Sequence, residues 1–235
     1  MSGPIFDPPR FKASGDTVLL VELGDAIDLA VNEAVRALTE RLRWDPPAGL
    51  KEVLPAYRSL AVVYDPLAIA PQVLEAHIGD MARHLDTADI PPPRTIEIPV
   101  CYGGEFGPDI GFVAAHNGID EDQVIALHSA DSYHIYTIGF APGFCYLGGL
   151  DPRLHTPRLE TPRTKVPAGA VGIAESQTGI YPLPSPGGWR LIGRTPLKLF
   201  DARRRDPFLY QAGDSLQFVA ISPEQYHALQ AEEEA

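Results

Sequence analysis

Three short segments of the sequence place polar side chains next to glycine-rich backbone. In the first, YGGEFGPD, the carboxylates of Glu105 and Asp109 lie four residues apart, near the expected start of a helix. Two carboxylates at this spacing could orient a ligand, or act as an acid and a base. Asp109 could equally do no more than stabilise the positive end of the helix dipole. The residues alone leave both interpretations open.

The second segment, PRLETPRTKVPAGAVGIAESQTGIYP, carries cations followed by a tight turn. Arg163 and Lys165 come before the Pro-Ala-Gly turn, and Gln177 and Tyr181 follow it. A guanidinium fork suits a carboxylate, and an amide side chain suits a planar amide or lactam. Residues 151–205 hold 10 of the 19 basic and 4 of the 31 acidic side chains. This indicates a local site for a carboxylate or phosphate, although surface cations flanking a hairpin would give the same pattern.

The third segment, SPGGWRLIGRT, combines paired glycines with an aromatic ring. The glycines allow close backbone approach, and Trp189 supplies a flat face for a ligand. A tight turn beside a core tryptophan is the competing interpretation. Elsewhere, His128 and His134 could meet Cys145 to form a thiol nucleophile and its base. A cysteine flanked by Phe and Tyr is more typical of a small buried hydrophobe, so we do not favour a cysteine catalyst.

Several kinds of chemistry are missing from the sequence. It has no Gly-x-x-x-x-Gly-Lys-Ser/Thr loop for a nucleotide, no Gly-x-Ser-x-Gly elbow and no His-Glu-x-x-His or Cys/His cluster for a metal. The formal net charge of −12 argues against binding to nucleic acid or to an anionic membrane. No apolar run approaches the roughly 18 residues that span a bilayer. We expect a cytoplasmic protein without a resident metal.

The N-terminal part of the chain has the hydrophobic periodicity of a small α+β domain. Residues 16–23, DTVLLVEL, are typical of a strand, and GDAIDLAVNEAVRALTERLR has the apolar spacing of an amphipathic helix. We expect Asp25 to cap this helix and Asp28 to lie near its positive end. Two short strands, a second helix beginning near Pro71 and the strand RTIEIPV follow. The order β-α-β-β-α-β predicts a split βαβ, ferredoxin-like fold.

The C-terminal part of the chain has many short strands interrupted by glycine and proline. The prolines of DIPPPR favour an extended connector, so we place a domain boundary near residue 92. The two domains would then cover residues 1–92 and 93–235. Asp120 and Gln123 have the spacing of a capping box at the start of a helix. The strands beyond it predict a closed β-barrel or a sandwich.

Four stretches of this second part together resemble a known family. They are YGGEFGPDI, LHSADSYHIYTIGFAPGFCYLGGL, TPRTKVPAGAVGIAESQTGIYPLPSPGGW and LIGRTPLKLFD, within about residues 98–220. They are similar to the allophanate hydrolase subunit 1 / carboxyltransferase C-lobe family. The resemblance implies a small α+β domain followed by a cyclophilin-like β-barrel.

The resemblance also implies a function. We expect a subunit of an ATP-dependent 5-oxoprolinase, an amide hydrolase that opens the lactam 5-oxoproline to glutamate. The implied partners are a sister subunit of the allophanate hydrolase subunit 2 type and a third component, and this chain would be inactive alone. ATP would be bound with the partner chains, and no biotin is expected on this chain. The alternatives are a regulatory protein that inhibits a sensor histidine kinase, and a carboxyltransferase or allophanate hydrolase subunit in urea metabolism.

Roles for the candidate residues follow from this expectation. A cation would bind the substrate carboxylate or a phosphorylated intermediate at the barrel mouth. The residues expected to bind substrate are Arg163, Lys165, Gln177, Tyr181 and Trp189. The residues expected to order water or move protons are Glu105, Asp109 and His128. The stretch GFAPGFCYLGG would form an apolar corner, with Phe144 buried and the glycines near the ligand mouth.

Overall fold

A computed structural model describes residues 5–85 and 92–234 of the chain. The chain divides into two compact units, Met1–Pro92 and Pro93–Ala235, each with its own hydrophobic core. Residues 89–91 of the expected proline-rich connector lie outside the described residues. Within the described residues, none of the helices is long and apolar enough to cross a membrane.

The first unit is a four-stranded antiparallel sheet with two helices. Its elements are β1 (Arg10–Ala13), β2 (Val18–Glu22), α1 (Leu29–Trp44), β3 (Leu50–Pro55), β4 (Ser59–Tyr64) and α2 (Pro71–Arg83). The strands are ordered β1-β2-β4-β3. Apolar side chains of β2, β4 and the helices form the core, which includes Leu19, Val21, Val31, Val35, Leu38, Leu60, Val62, Leu74 and Ile78.

Helix α1 begins later than the sequence pattern indicates. Asp28, and not Asp25, is its N-cap: the Asp28 carboxylate accepts hydrogen bonds from the backbone N–H groups of Ala30 and Val31 at 2.9 and 3.3 Å. Both aspartates precede the apolar stripe by a plausible distance, and only the backbone conformation at Asp28 decides between them. Pro71 lies in the first turn of α2, as expected.

The ferredoxin-like arrangement is not confirmed, because the strand expected to complete the first sheet belongs to the second unit. That strand, β5 (Thr95–Tyr102), pairs with strands that follow it in the chain. In the first unit, β1 pairs along the outer edge of β2 instead. Alternation in a sequence reports that one face of a strand is buried, and it does not report which edge the strand joins.

The second unit is built on a nearly closed, barrel-like sheet of seven strands. These strands are β5, β6 (Ser132–Ile138), β7 (Cys145–Gly148), β9 (Ala170–Ala174), β10 (Gln177–Ile180), β12 (Arg190–Arg194) and β13 (Ser215–Ala220). Their order is β10-β9-β12-β5-β13-β6-β7, and within this sheet only the β5–β13 pair is parallel. The outermost strands β10 and β7 contact each other, which brings the sheet almost to closure. The expected barrel is thus confirmed in coarse form.

Shorter elements cover the sheet. They are helices α3 (Ile110–Asn117), α4 (Glu121–His128) and α5 (Pro223–Glu234), a short 3-10 helix (Pro152–Leu154), and the two-stranded ribbon of β8 (Arg163–Val166) and β11 (Ser185–Gly187).

The expected capping box at the start of α4 is confirmed. The Gln123 N–H donates to Asp120 at 2.7 Å, and the Asp120 N–H donates to the Gln123 side chain at 3.0 Å.

Two layers of apolar side chains lie on the two faces of this sheet. Inward residues from most of its strands form the main core, which includes Ile98, Val100, Tyr133, Ile135, Val171, Ile173, Ile192 and Phe218. Residues that alternate with these along β9 belong to a second group, which we call the outer cluster. Its members are Phe144, Val166, Ala170, Ala174, Tyr181, Trp189 and Leu191.

The stretch GFAPGFCYLGG links β6 to β7 and includes β7 itself. Phe144 is buried, as expected. Gly143 has φ +84°, and the Tyr210 hydroxyl donates to its carbonyl oxygen at 2.6 Å. Phe140 has a left-handed φ of 65° and is 73% exposed. Cys145 is completely buried, and burial raises the pKa of its thiol to about 11, which disfavours a thiolate nucleophile.

Candidate functional site

An ion pair between Asp109 and Arg163 forms the centre of the candidate site. Arg163 Nη2 lies 2.8 Å from Asp109 Oδ1 and 2.9 Å from Oδ2. The backbone N–H of Leu191 donates to Asp109 Oδ2 at 2.7 Å, and the backbone N–H of Asp109 donates to the Leu191 carbonyl oxygen at 2.9 Å. Arg163 Nη1 also donates to the Trp189 carbonyl oxygen at 3.3 Å. These bonds tie the start of α3 to β8 and β12.

The ion pair joins two of the predicted functional groups, and each side chain partly neutralises the charge of the other. The Asp109 side chain is 11% exposed and the Arg163 side chain 29%, so the pair is shielded but reachable from solvent. Asp109 makes no side-chain bond to the first turn of α3, so its contacts are not those of a helix cap. Arg163 carries five N–H donors and uses only part of them here. Its remaining donors can still bind an anion.

Tyr181 and Trp189 lie together in the outer cluster, under the ribbon of β8 and β11. Both rings meet Phe144 edge to face, with centroids 5.9 and 5.8 Å away. Trp189 is 8% exposed, so its flat face packs against protein and is not presented to solvent. A Cβ atom at Gly179 would lie 3.1 Å from the Trp189 ring and one at Gly172 would lie 3.1 Å from Trp189 Cβ, so these glycines make room for the tryptophan. Burial raises the pKa of the Tyr181 hydroxyl.

The other predicted binding residues are more accessible. Lys165 is exposed on β8, and within the described residues no hydrogen bond or ion pair joins it to a partner. Gln177 is half-buried at the start of β10. Glu105 is exposed in the turn between β5 and α3. The structure thus brings Asp109, Arg163 and the two aromatic residues together, with Lys165 two residues beyond Arg163 on β8.

His128 lies inside the barrel and does not face solvent. Thr178 Oγ1 donates its proton to the Gly172 carbonyl oxygen at 3.1 Å, so it accepts a hydrogen bond from His128 Nε2 at 2.8 Å. His128 Nδ1 then accepts from the Tyr102 hydroxyl at 2.8 Å. Burial lowers the pKa of His128 to about 3, which keeps the ring neutral near pH 7. Both ring nitrogens are used within the core.

The sequence analysis did not single out Tyr102, Thr178 or the backbone of Leu191. A weak signal exists for Tyr102, because it follows Ile98 and Val100 at alternate positions of β5 and so is expected to face the core. The hydroxyl of a tyrosine that faces a core needs a hydrogen-bond partner, and Tyr102 is partly buried. No signal exists for Leu191, because a backbone donor is the same at every residue. In the described residues, no group of three or more His, Cys, Asp or Glu side chains is placed to hold a metal ion.

Comparison with known proteins places this arrangement in a family. Residues 9–210 match the family model for the carboxyltransferase domain, subdomain C and D. The chain is 42% identical over 233 residues to the B subunit of the 5-oxoprolinase of Bacillus subtilis, covering 95% of this chain and 97% of that protein. It is 44% identical over 208 residues to the B subunit of the 5-oxoprolinase of Escherichia coli O157:H7, covering 87% and 93%.

Solved structures share the fold. The crystal structure of TTHA0988 superposes with a TM-score of 0.78 and 38% identity, covering 87% of this chain. This chain spans only 40% of that longer chain. The urea carboxylase of Kluyveromyces lactis superposes with a TM-score of 0.75 over 96% of this chain and 23% of its own. Its identity is 20%, so it supports the fold alone, which is a mixed α/β fold with a barrel-like sheet.

Proposed function

The chain belongs to the family of the carboxyltransferase domain, subdomain C and D, and on this basis we propose that it is the B-type subunit of a 5-oxoprolinase. Such an enzyme opens the lactam 5-oxoproline to glutamate. The observation that carries the proposal is the identity of 42% and 44% with the B subunits of two bacterial 5-oxoprolinases over nearly their full length. A similarity of this extent covers both units and not the motifs alone.

The proposed enzyme is a complex of several chains. The partners are a sister subunit and a third component, and this chain is inactive without them. Because its sequence has no glycine-rich nucleotide loop, we propose that ATP is bound together with the partner chains. The proposed location is the cytoplasm.

The proposed substrate contacts lie around the Asp109–Arg163 pair. Arg163 offers its remaining N–H donors to the substrate carboxylate or to a phosphorylated intermediate, and Lys165 supplies a second, exposed cation. Gln177 is suited to the lactam amide, because an amide side chain can donate and accept at once.

The remaining candidate residues have less direct roles. Asp109 holds Arg163 in place, and the rings of Tyr181 and Trp189 support the ribbon from below. Glu105 is exposed and remains a candidate for ordering water. His128 can move a proton only along its hydrogen bonds to Tyr102 and Thr178. Its proposed role is therefore structural: these two bonds link α4 to β5 and β10 inside the barrel.

The test is a turnover assay of the assembled complex. This chain is co-expressed with the sister subunit and the third component, and glutamate release is measured with and without ATP. We expect release that depends on both ATP and 5-oxoproline. We expect Arg163→Ala and Gln177→Ala to lower kcat/KM by roughly ten- to hundredfold, because each removes one or more hydrogen bonds to the substrate.

Matched controls remove similar groups elsewhere. Arg43→Ala breaks an exposed ion pair with Glu40, and Gln72→Ala removes an exposed amide from α2. Both should turn over as the wild type does. If Arg163→Ala and Gln177→Ala also keep wild-type turnover and affinity, the proposed contacts are wrong. Absence of ATP-dependent glutamate release from the full complex, together with tight binding to a sensor kinase or with activity on urea, would favour one of the alternatives.

A further inference from the structure

A cavity of about 360 Å³ opens between the barrel and the C-terminal helix α5. Its wall comes from the turn before β9, the segment after β12 and three residues of α5. The segment after β12, residues 195–201 of LIGRTPLKLFD, has no part in the Asp109–Arg163 site. Pockets for small molecules usually measure roughly 300–1,000 Å³, so this cavity suits a compact molecule.

Both carboxylates at the cavity already have cationic partners. Asp201 accepts from Arg203 Nε at 3.0 Å and from Nη2 at 2.8 Å, and these bonds hold the pKa of Asp201 well below its usual range. Glu233 pairs with Arg204, whose Nη2 lies 2.9 Å from Glu233 Oε2. Neither carboxylate therefore compensates a further cation inside the cavity.

Two half-buried cations at the cavity have no carboxylate partner among the described residues. Arg194 Nε donates to the Ala168 carbonyl oxygen at 2.9 Å, and Lys198 Nζ donates to the Glu233 carbonyl oxygen at 2.6 Å. These bonds leave the terminal amino groups of Arg194 and two N–H bonds of Lys198. In the part of the chain that the structure describes, no carboxylate lies within ion-pair distance of either cation. Partly desolvated and uncompensated, the two cations favour an anion.

The rest of the wall limits which anion fits. Leu183, Leu197 and Phe200 line the cavity beside the two cations and give it an apolar side. We propose that the cavity binds a compact organic anion, whose carboxylate lies between Arg194 and Lys198 and whose carbon skeleton packs against the apolar side. A guanidinium edge and an ammonium together match a carboxylate, and an apolar wall favours an organic anion over a bare inorganic one.

The test is binding to the full chain, followed by amide chemical shifts. The probe is 5-oxo-L-proline, a choice that rests on the proposed function, and its neutral amide, 5-oxo-L-prolinamide, is the matched ligand control. L-glutamate and inorganic phosphate complete the series. We expect the acid to shift the amides of Leu183, Thr195 and Leu197. We expect the neutral amide to bind at least about tenfold more weakly, because it lacks the charged hydrogen bonds.

Variants separate the cavity from the remainder of the surface. Arg194→Gln and Lys198→Gln each remove one charge and should raise Kd roughly ten- to hundredfold. Leu183→Trp fills the cavity without touching either cation and should abolish binding. Arg205→Gln makes the same change of charge at an exposed residue outside the cavity and should leave Kd unchanged. Thermal unfolding shows whether each variant is folded.

Three outcomes overturn the proposal. They are shifts confined to the surroundings of Arg163 and Gln177 with none at the cavity, wild-type affinity in Lys198→Gln and Leu183→Trp, and binding of phosphate alone or of none of the four probes. The turnover assay keeps this proposal distinct from the proposed function. If Lys198→Gln and Leu183→Trp bind the acid as the wild type does while the wild-type complex converts 5-oxoproline, the function stands and the cavity proposal fails.

Discussion

At the scale of single residues, the environment of a polar side chain decides what it can do. Asp109 and Arg163 look like two independent functional groups in the sequence, but their side chains bind each other. His128 looks like a base, yet both ring nitrogens are hydrogen-bonded inside the core and its pKa is lowered to about 3. Lys165 is exposed, and in the described part of the chain its ammonium group has no ion-pair partner. These differences set which groups are available to a ligand.

The buried histidine makes the stability of the protein depend on pH. The pKa of His128 falls from 6.5 to about 3 on folding, so between these values the unfolded chain binds a proton that the folded chain does not. The free energy of unfolding therefore decreases as pH falls below 6.5, by up to roughly 1.4 kcal/mol per pH unit from this residue. Well above pH 6.5 the ring is neutral in both states and contributes no slope.

Replacing His128 with Gln tests this pH dependence. Urea denaturation between pH 5 and 6.5 should give a shallower slope in His128→Gln than in the wild type, by about one proton at the lower end of the range. Gln72→Ala, a change at an exposed residue that does not titrate, is the control and should keep the wild-type slope. Parallel curves for His128→Gln and the wild type would show that folding does not lower the pKa of His128.

At the scale of elements, turns and close contacts shape the second unit as much as strand propensity does. The stretch GFAPGFCYLGG shows this, because it combines a buried Phe144 with two glycines at positive φ. At Gly143 a Cβ atom would lie 3.0 Å from Phe200 Cβ and 3.3 Å from Pro182 Cβ, whereas at Gly149 nothing lies within 4 Å. The first glycine is required by both backbone conformation and packing, and the second by conformation alone.

These two glycines provide a matched pair of substitutions. Gly143→Ala and Gly149→Ala both place an L side chain at positive φ, which destabilises by roughly 1–2 kcal/mol. Gly143→Ala also crowds Phe200 and should destabilise further, by roughly 1–3 kcal/mol, as overpacking does. The measurement is the urea midpoint of each variant. Equal midpoints would show that the contact with Phe200 relaxes freely.

At the scale of the whole molecule, each compact unit has its own core and its own sheet. The second unit takes all seven strands of its sheet from Thr95 onward, and both of its apolar layers from the same part of the chain. The predicted domains, residues 1–92 and 93–235, remain a prediction about independent folding. The long strand β5 is central to it, since this strand pairs with both β12 and β13.

Expression of residues 93–235 alone tests this division. We expect a folded protein that unfolds cooperatively on heating, because the main core and the outer cluster are both retained. Residues 103–235 serve as the control: this piece lacks β5, which breaks the sheet between β12 and β13, and we expect it to remain unfolded. A non-cooperative transition for residues 93–235 would mean that the second unit needs the first in order to fold.

Much of the local structure follows from the sequence by itself. Apolar periodicity predicts the helices and most of the strands. Asp120 and Gln123 predict the start of α4, and Pro71 predicts the start of α2. These signals can be read from the sequence because each acts over a few residues. The same local signals do not choose between Asp25 and Asp28 as a cap. Local patterns also predict the many short strands of the second unit, from which we expect a barrel.

Only the tertiary structure decides which distant groups meet. From the sequence, β5 is predicted to join the first sheet. Asp109 and Arg163 lie 54 positions apart in the chain, and the sequence does not show whether His128 is buried. The folded chain pairs β5 with β13, joins Asp109 to Arg163 and encloses His128 between Tyr102 and Thr178. Strand partners, ion pairs and burial depend on contacts between residues far apart in the chain, and a local pattern carries no information about such contacts.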